Sequence, residues 1–374
     1  MVDCDVQPAF TTNRLPSTIV PDSRMSTFSS EASFWDAYLR KLALLLREEE
    51  NAPDFGLGAF VLVCANAYFN GEVLGALKAD LQQSYERLRA LCADFLSHGR
   101  LFNDRYAEDF LVFLKMALVG LENLQVTEHR QVGPWNVQFN HIRSFRPQRA
   151  AAHSVTSIDM PFNDRLFYYH ARILERESFW CGELNGKNAC LLYNKYPFAR
   201  LHSLLLLEPE RRLRQFLDAE ALAWAWETVS SLSVSLPGFG LGYNSLGTFA
   251  SVNHLHFQTF IEPHGLPVTM SHWKHNGGAE EYPLPCRVFE DWKLAWDWME
   301  EIHRRDKTSY NLLITPGRIY GFERRRQNTY THSKWTSGFA WFEVTGNMLT
   351  FSKDDFQNFT VDQVLREFEK IRIS

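Results

Sequence analysis

The spacing of apolar residues changes once along the chain, near Gly133, and that change limits the fold more than any other feature. Before it, Phe34, Trp35, Tyr38, Leu39, Leu42, Leu45 and Leu46 recur at three- and four-residue intervals, as do Leu74, Leu77, Leu81, Tyr85, Leu88, Leu91 and Phe95, and then the run 106–121. A stripe of that period covers one side of a helix. Residues 1–130 therefore read as a mainly helical region behind an extended lead-in over 1–30, with Ser30 as the first cap and an acidic stop at 48–50.

After Gly133 the texture is of short β-branched and aromatic runs broken by Pro, Gly and Asn: WNVQFNHI, LFYYHARIL, ACLLYNKY and HSLLLLEP. These read as strands. Helical spacing returns at 216–232, 289–304 and 361–372, the last opened by Thr360 and Gln363 at the spacing of a capping box. Strands and helices without strict alternation predict an α+β fold built on antiparallel sheet over 131–374. Trp224, Trp226, Trp292, Trp296 and Trp298 all lie in two of these helices, so they read as core rather than as a base-stacking surface.

Charge narrows the function. The 39 Lys and Arg against 44 Asp and Glu, a net −5, exclude a broad footprint for nucleic acid or an anionic membrane and leave room only for a local basic site. Cys4, Cys64, Cys92, Cys181, Cys190 and Cys286 include no CxxC pair and read as reduced. The opening MVDCDVQPAF lacks the basic and apolar parts of an export signal, and the longest apolar stretch, 55–69, is interrupted by Gly and Asn. A cytoplasmic chain without a membrane span is expected, with no metal and no cofactor.

The most informative string is GLGYNSLGTFASVNHLHFQTF, residues 240–260. On a strand His254, His256 and Gln258 would share one face. Upstream, Gly240, Gly242 and Gly247 with Asn244, Ser245 and Ser251 make a loop whose N–H groups and short side chains suit phosphate oxygens. A neutral imidazole can attack phosphorus and hold a nucleotidyl group as a phosphoramidate, provided its other nitrogen donates to a fixed acceptor. Two other readings remain open on the residues alone: the polar face of a half-exposed strand, and a zinc site on HxH. His264, His272 and His275 in the Gly- and Pro-rich loop 264–286 read as solvated rather than as a metal cluster.

YNSLGTFASVNHLHFQ resembles the catalytic motif of the GDP-hexose phosphorylases, which belong to the transferase branch of the histidine triad superfamily beside galactose-1-phosphate uridylyltransferase and diadenosine tetraphosphate phosphorylase. That branch carries glutamine in place of the third histidine, as Gln258 does here. The resemblance implies two paired triad-like halves of antiparallel sheet with packed helices, with His256 as the nucleophile, His254 orienting it or the substrate, and Gln258 holding phosphate. NKYPFARLH resembles the superfamily segment ahead of the triad and implies nucleotide contacts from Asn194 and His202. WNVQFNHIRSFRP, with Arg143 and Arg146, resembles an early segment of the same enzymes. YNLLITPGRIYGFERRR and SGFAWFEVTGNMLT resemble their closing segment. On the residues alone, one of Arg324, Arg325 and Arg326, Arg324 first, reads as a phosphate ligand, and a solvated edge run of charge stays open as the other reading. The zinc arm of the uridylyltransferases has no counterpart here.

The implied activity is a phosphorylase: nucleoside diphosphate sugar, GDP-hexose first, plus phosphate gives sugar 1-phosphate and nucleoside diphosphate. The NKYPF flavour keeps a dinucleoside polyphosphate phosphorylase or hydrolase as the alternative. The unmatched helical region keeps a non-catalytic nucleotide-binding protein as another. Partners are a nucleotide sugar or dinucleotide and inorganic phosphate, and the resemblance leaves room for a homodimer.

Overall fold

The structure, a computed structural model, describes residues 28–48, 54–100, 104–146 and 155–373. Four helices come first: α1 (Glu31–Glu48), α2 (Leu57–Phe69), α3 (Gly71–Ser97) and α4 (Asp104–Val119). α1 starts where Ser30 and Ser33 exchange backbone-to-hydroxyl bonds of 3.1 and 3.2 Å, and α3 starts where the Asn70 side chain accepts from Glu72 N–H, satisfying donors that a helix start leaves open. α2 is apolar on every side and buried from Leu57 to Tyr68, as a helix at the centre of a bundle must be.

The rest of the chain runs β1 (Glu128–Val132), β2 (Trp135–Phe139), α5 (His141–Ser144), α6 (Ala171–Glu177), β3 (Ser178–Leu184), β4 (Lys187–Tyr193), β5 (Ser203–Leu207), α7 (Ala219–Leu232), β6 (Phe239–Asn244) and β7 (His256–Ile261). Then follow β8 (Arg287–Phe289), α8 (Trp292–Arg305), β9 (Ser309–Thr315), β10 (Arg318–Arg324), α9 (Trp341–Val344), β11 (Asn347–Thr350), α10 (Lys353–Gln357) and α11 (Val361–Ile371). Asp218, Asp291 and Thr360 cap α7, α8 and α11.

Eight strands form one antiparallel sheet in the order β3-β4-β5-β7-β6-β9-β10-β8, while β1, β2 and β11 form a smaller sheet in which β11 runs parallel to β2. The α+β antiparallel architecture expected from the sequence is thus present, with β6 pairing β9 inside one continuous large sheet.

The two faces of the large sheet are covered differently. On one, Leu205, Leu241, Phe257 and Ile261 join a continuous apolar core with helices α1–α4, α7 and α8, and the five tryptophans of α7 and α8 belong to it. On the other face the cover has two parts. Phe260, Leu313, Tyr320 and Phe322 pack against Trp135, Val137, Trp341 and Phe368. Leu192, Leu204 and Leu206 pack under Tyr169 and Leu174. Strand alternation sends the side chains of His256 and Gln258 to this second face, opposite Leu206 and Leu204, between the two clusters.

Four sequence expectations change. LFYYHARIL is not a strand: residues 155–170 are an irregular strap whose aromatics pack down onto the histidines, and Ala171 to Leu174 open α6. Cys181 and Cys190 are disulfide-bonded rather than reduced, because β3–β4 pairing sets them directly opposite with Cα atoms 4.2 Å apart. Gly240 and Gly242 lie inside β6, not in a phosphate loop, and only Gly247, at φ 89°, turns the loop that follows. β7 begins at His256, so His254 stands in the bend before the strand rather than on its face. No helix among the described residues is long and apolar enough to cross a membrane.

Candidate active site

His256 is clamped by its backbone. The Gln215 side chain accepts from His256 N–H at 3.0 Å and donates to the carbonyls of His256 (3.3 Å) and Asn244 (2.9 Å), closing the end of the β6–β7 ladder where the strands part. The ring is then oriented by His254, through its backbone carbonyl rather than its imidazole: His256 Nδ1–H donates to it over 2.8 Å. One ring nitrogen holding the proton leaves the other, Nε2, with its lone pair. Nε2 has no partner among the described residues. Burial holds the His256 pKa below its ordinary value, which keeps the ring neutral and nucleophilic.

His254 is itself buried. Its Nδ1 accepts from Tyr169 N–H at 3.3 Å, and the rings of Phe162, Tyr168 and Tyr169 surround it at 5.7 to 6.3 Å. Tyr169 also meets His256 edge-on at 5.6 Å. Burial first, then the His256 ring, lowers the His254 pKa to about 4. Asn253 fastens the strap by donating to the carbonyls of Met160 and Pro161.

Gln258 faces a dense set of donors. Its Oε1 accepts from Trp341 Nε1–H at 2.8 Å and lies 3.0 Å from His202 Nε2. Because His202 Nδ1 accepts from Phe198 N–H, the His202 proton sits on Nε2 and also donates to Gln258. Burial, and secondarily the Arg143 charge, push the His202 pKa down to about 3. The Asn194 amide nitrogen lies 3.3 Å from the same His202 nitrogen, while its oxygen accepts from Tyr196 N–H. Asn66 of α2 donates to the Asn194 carbonyl at 3.1 Å, so the helical region braces this turn directly.

Arg143 also reaches the site. Its guanidinium lies 4.9 Å over the Phe198 ring and donates from Nη1 to the Tyr196 carbonyl. Burial, with Arg146 adding to it, lowers its pKa to about 10. Arg146 sits over the Tyr196 ring.

His254, His256, Gln258, His202, Asn194, Asn244 and Arg143 are therefore brought together, with Arg146 beside Arg143. Asn244 directs its Oδ1 to Trp341 N–H and the Asn311 amide. Ser251 stands exposed on the loop rim. The Ser245 hydroxyl is buried and accepts from Tyr310 N–H, bracing the loop from behind.

Arg324 departs from expectation. It lies three strands away on β10, fully buried, with its guanidinium bound to the Phe339 carbonyl and the Tyr330 hydroxyl, so the geometry gives it a structural place ahead of α9 rather than a phosphate. Gln215, Trp341, Tyr169 and Asn311 entered the site without any local signal in the sequence, since each acts across the fold. No group of three or more His, Cys, Asp or Glu side chains suited to a metal occurs among the described residues. His275 instead bonds the Val268 carbonyl, and His272 packs on Trp273.

Comparison with known proteins finds similarity over the middle of the chain. Residues 135–260 match the GDPGP1-like N-terminal domain. The chain is 30% identical over 228 residues to GDP-D-glucose phosphorylase 1 of Macaca fascicularis, covering 59% of this chain and 54% of that protein. It is 38% identical over 214 residues to the Xenopus laevis protein of that name, covering 50% and 53%. With GDP-L-galactose phosphorylase 2 of Arabidopsis thaliana it shares 37% identity over 205 residues, covering 48% and 47%. It thus spans about half the length of these curated relatives. A crystal structure of yeast Ap4A phosphorylase Apa2 superimposes with a TM-score of 0.46 and 17% identity, covering 70% of this chain and 93% of that one. The chain is thus similar to a GDPGP1-like domain over residues 135–260 and, over part of its length, to GDP-D-glucose and GDP-L-galactose phosphorylases.

Proposed function

We propose that this protein is a nucleotidyl-transferring phosphorylase acting on a GDP-hexose through a covalent histidine intermediate. The observation that carries the reading is the His256 ring. Its Nδ1–H is held by the His254 carbonyl, its pKa is depressed, and its Nε2 has no partner among the described residues.

Nε2 attacks the α-phosphorus, the bond to the sugar phosphate breaks, and sugar 1-phosphate leaves. The ring gains positive charge as the P–N bond forms, and the His254 carbonyl accepting from Nδ1 stabilises that charge. The Gln258 amide N–H groups and the Arg143 guanidinium face the charge on the non-bridging oxygens. Inorganic phosphate then attacks the same phosphorus from the side the sugar phosphate left, the P–N bond breaks, and nucleoside diphosphate departs with the neutral ring restored. The choice of GDP-hexose follows the names of the relatives and the resemblance of the triad string.

The test is a panel of GDP-glucose, GDP-galactose, GDP-mannose, ADP-glucose and diadenosine tetraphosphate, each with and without phosphate. Phosphate-dependent GDP release is expected, and without phosphate the intact protein should gain one nucleotidyl mass. His256→Ala should lose the adduct and at least about a thousandfold in kcat. Faster turnover of the dinucleotide reverses the substrate order, and nucleotide binding without turnover in both proteins removes the enzymatic reading altogether.

A further inference from the structure

We propose that Trp341 is the positioning residue that turns two site amides, Gln258 and Asn244, into donors facing the transferred phosphoryl group. This rests on the phosphorylase reading for the identity of the group, and on the hydrogen-bond network for the geometry.

An amide side chain is chemically two-sided: its oxygen accepts two bonds and its NH2 donates two. Next to a phosphoryl oxygen only the NH2 end helps, and a carbonyl oxygen in its place repels. Which end faces the phosphoryl group is set by the surrounding network. At Gln258 the oxygen receives Trp341 Nε1–H at 2.8 Å, which can only donate, and His202 Nε2–H at 3.0 Å, whose proton is held there by Phe198 N–H bonding to Nδ1. Both acceptor positions are filled. Rotating the amide by half a turn would set its NH2 against two N–H groups and leave buried donors unmade.

The same residue repeats the device one strand over. Trp341 backbone N–H donates to Asn244 Oδ1 at 2.8 Å, and Asn311 Nδ2 fills the second position at 2.7 Å. Asn244, two residues beyond the Gly242–Gln258 pair on β6, is thereby also left with its NH2 as the uncommitted end.

Trp341 is held rigidly enough to do this. Its indole lies against Phe260 with ring centroids 5.3 Å apart and planes 20° from parallel. It crosses β6 at Gly242, where a Cβ would come within 2.1 Å of the ring, so any side chain there would push the indole off Gln258. Ala340, just before it, is fixed by donation to the Glu343 carboxylate at 2.9 Å. The glycine in the strand is thus explained by the tryptophan above it.

Trp341→Phe keeps the ring on Phe260 and the backbone donor to Asn244 while removing only the indole N–H. It should lower kcat and kcat/KM together by about 10-fold, with GDP binding changed less than about twofold, because the lost contact acts when charge develops. On a Gln258→Ala background the same substitution should change kcat less than about twofold, since nothing remains for the indole to orient. A full loss on that background, or wild-type kcat in Trp341→Phe, overturns the proposal. A readout independent of turnover keeps it separate from the functional reading: the Trp341 Nε1–H proton resonance should lie downfield and move upfield in Gln258→Ala. A protein inert toward the whole substrate panel that still shows that shift would sink the phosphorylase reading but not the positioning; a resonance unmoved in Gln258→Ala would sink the positioning but not the phosphorylase.

Discussion

The face of the sheet that carries His256 and the turn after β10 both offer the side chains that bind phosphate, yet the structure treats them oppositely. At Gln258 and Asn244 the acceptor ends are saturated by Trp341, His202 and Asn311, and the donors are left over. At Arg324 to Arg326 the donors themselves are engaged: Arg324 by Phe339 and Tyr330, Arg325 by Thr329 and Lys370, Arg326 by Asp306 and Thr156. Whether a polar side chain reads a ligand depends on which of its groups the fold has already satisfied.

That contrast is sharpest in paired substitutions. Gln258→Ala should lower kcat by about 100-fold, the loss typical of removing one donor from a developing oxyanion, and stability by about 2 kcal/mol or more from the two donors left without an acceptor. Arg324→Met should cost stability but spare the rate. With Phe339 and Tyr330 stripped of a buried cation, urea unfolding should show a loss of about 3 kcal/mol, while the folded fraction keeps kcat within about threefold. Equal kcat losses in the two variants would erase the distinction between the regions.

The acid side of the stability profile separates them again. His202 and His254 have pKa values lowered by burial to about 3 and about 4 from 6.5. For such groups the unfolded chain binds more protons than the folded one once the pH drops below 6.5. Their contribution is fully present above that value and is lost as pH falls toward the folded pKa. Each costs about 1.4 kcal/mol per pH unit across that window. The unfolding free energy should therefore decline from pH 6.5 to 4.5, and His202→Gln, which cannot take up the proton, should flatten the decline. Arg324→Met should shift the whole curve downward with its slope intact.

Local chemistry made much of this legible beforehand. The stripes of α1 and α3, the Thr360–Gln363 pair opening α11, the core tryptophans and the HxHxQ string need only neighbours in sequence to be read. What escaped needs the fold first. Gln215 acts on His256 across the mouth of two strands. Gly242 looked like part of a phosphate loop because its reason, the Trp341 ring, arrives from the far end of the chain. LFYYHARIL carries strand-forming residues, but Tyr168 and Tyr169 bury themselves on the histidines, and that packing outweighs a preference worth about 1 kcal/mol or less. Cys181 and Cys190 become partners only through the β3–β4 register.

Arg325 supplies the smallest effect and the closest check on the contrast. It is the exposed member of its run, and its donors reach two backbone carbonyls, of Thr329 and Lys370. Such contacts at the surface contribute a few tenths of a kcal/mol, because water replaces them readily. Arg325→Ala should therefore shift the urea midpoint by less than about 0.5 kcal/mol in free energy and leave the KM for inorganic phosphate unchanged. A several-fold rise in that KM with kcat intact would mean that the arginine run meets the incoming phosphate after all. Binding would then be divided between the two regions: neutral amides for the phosphoryl group in transfer, and a surface cation for the acceptor.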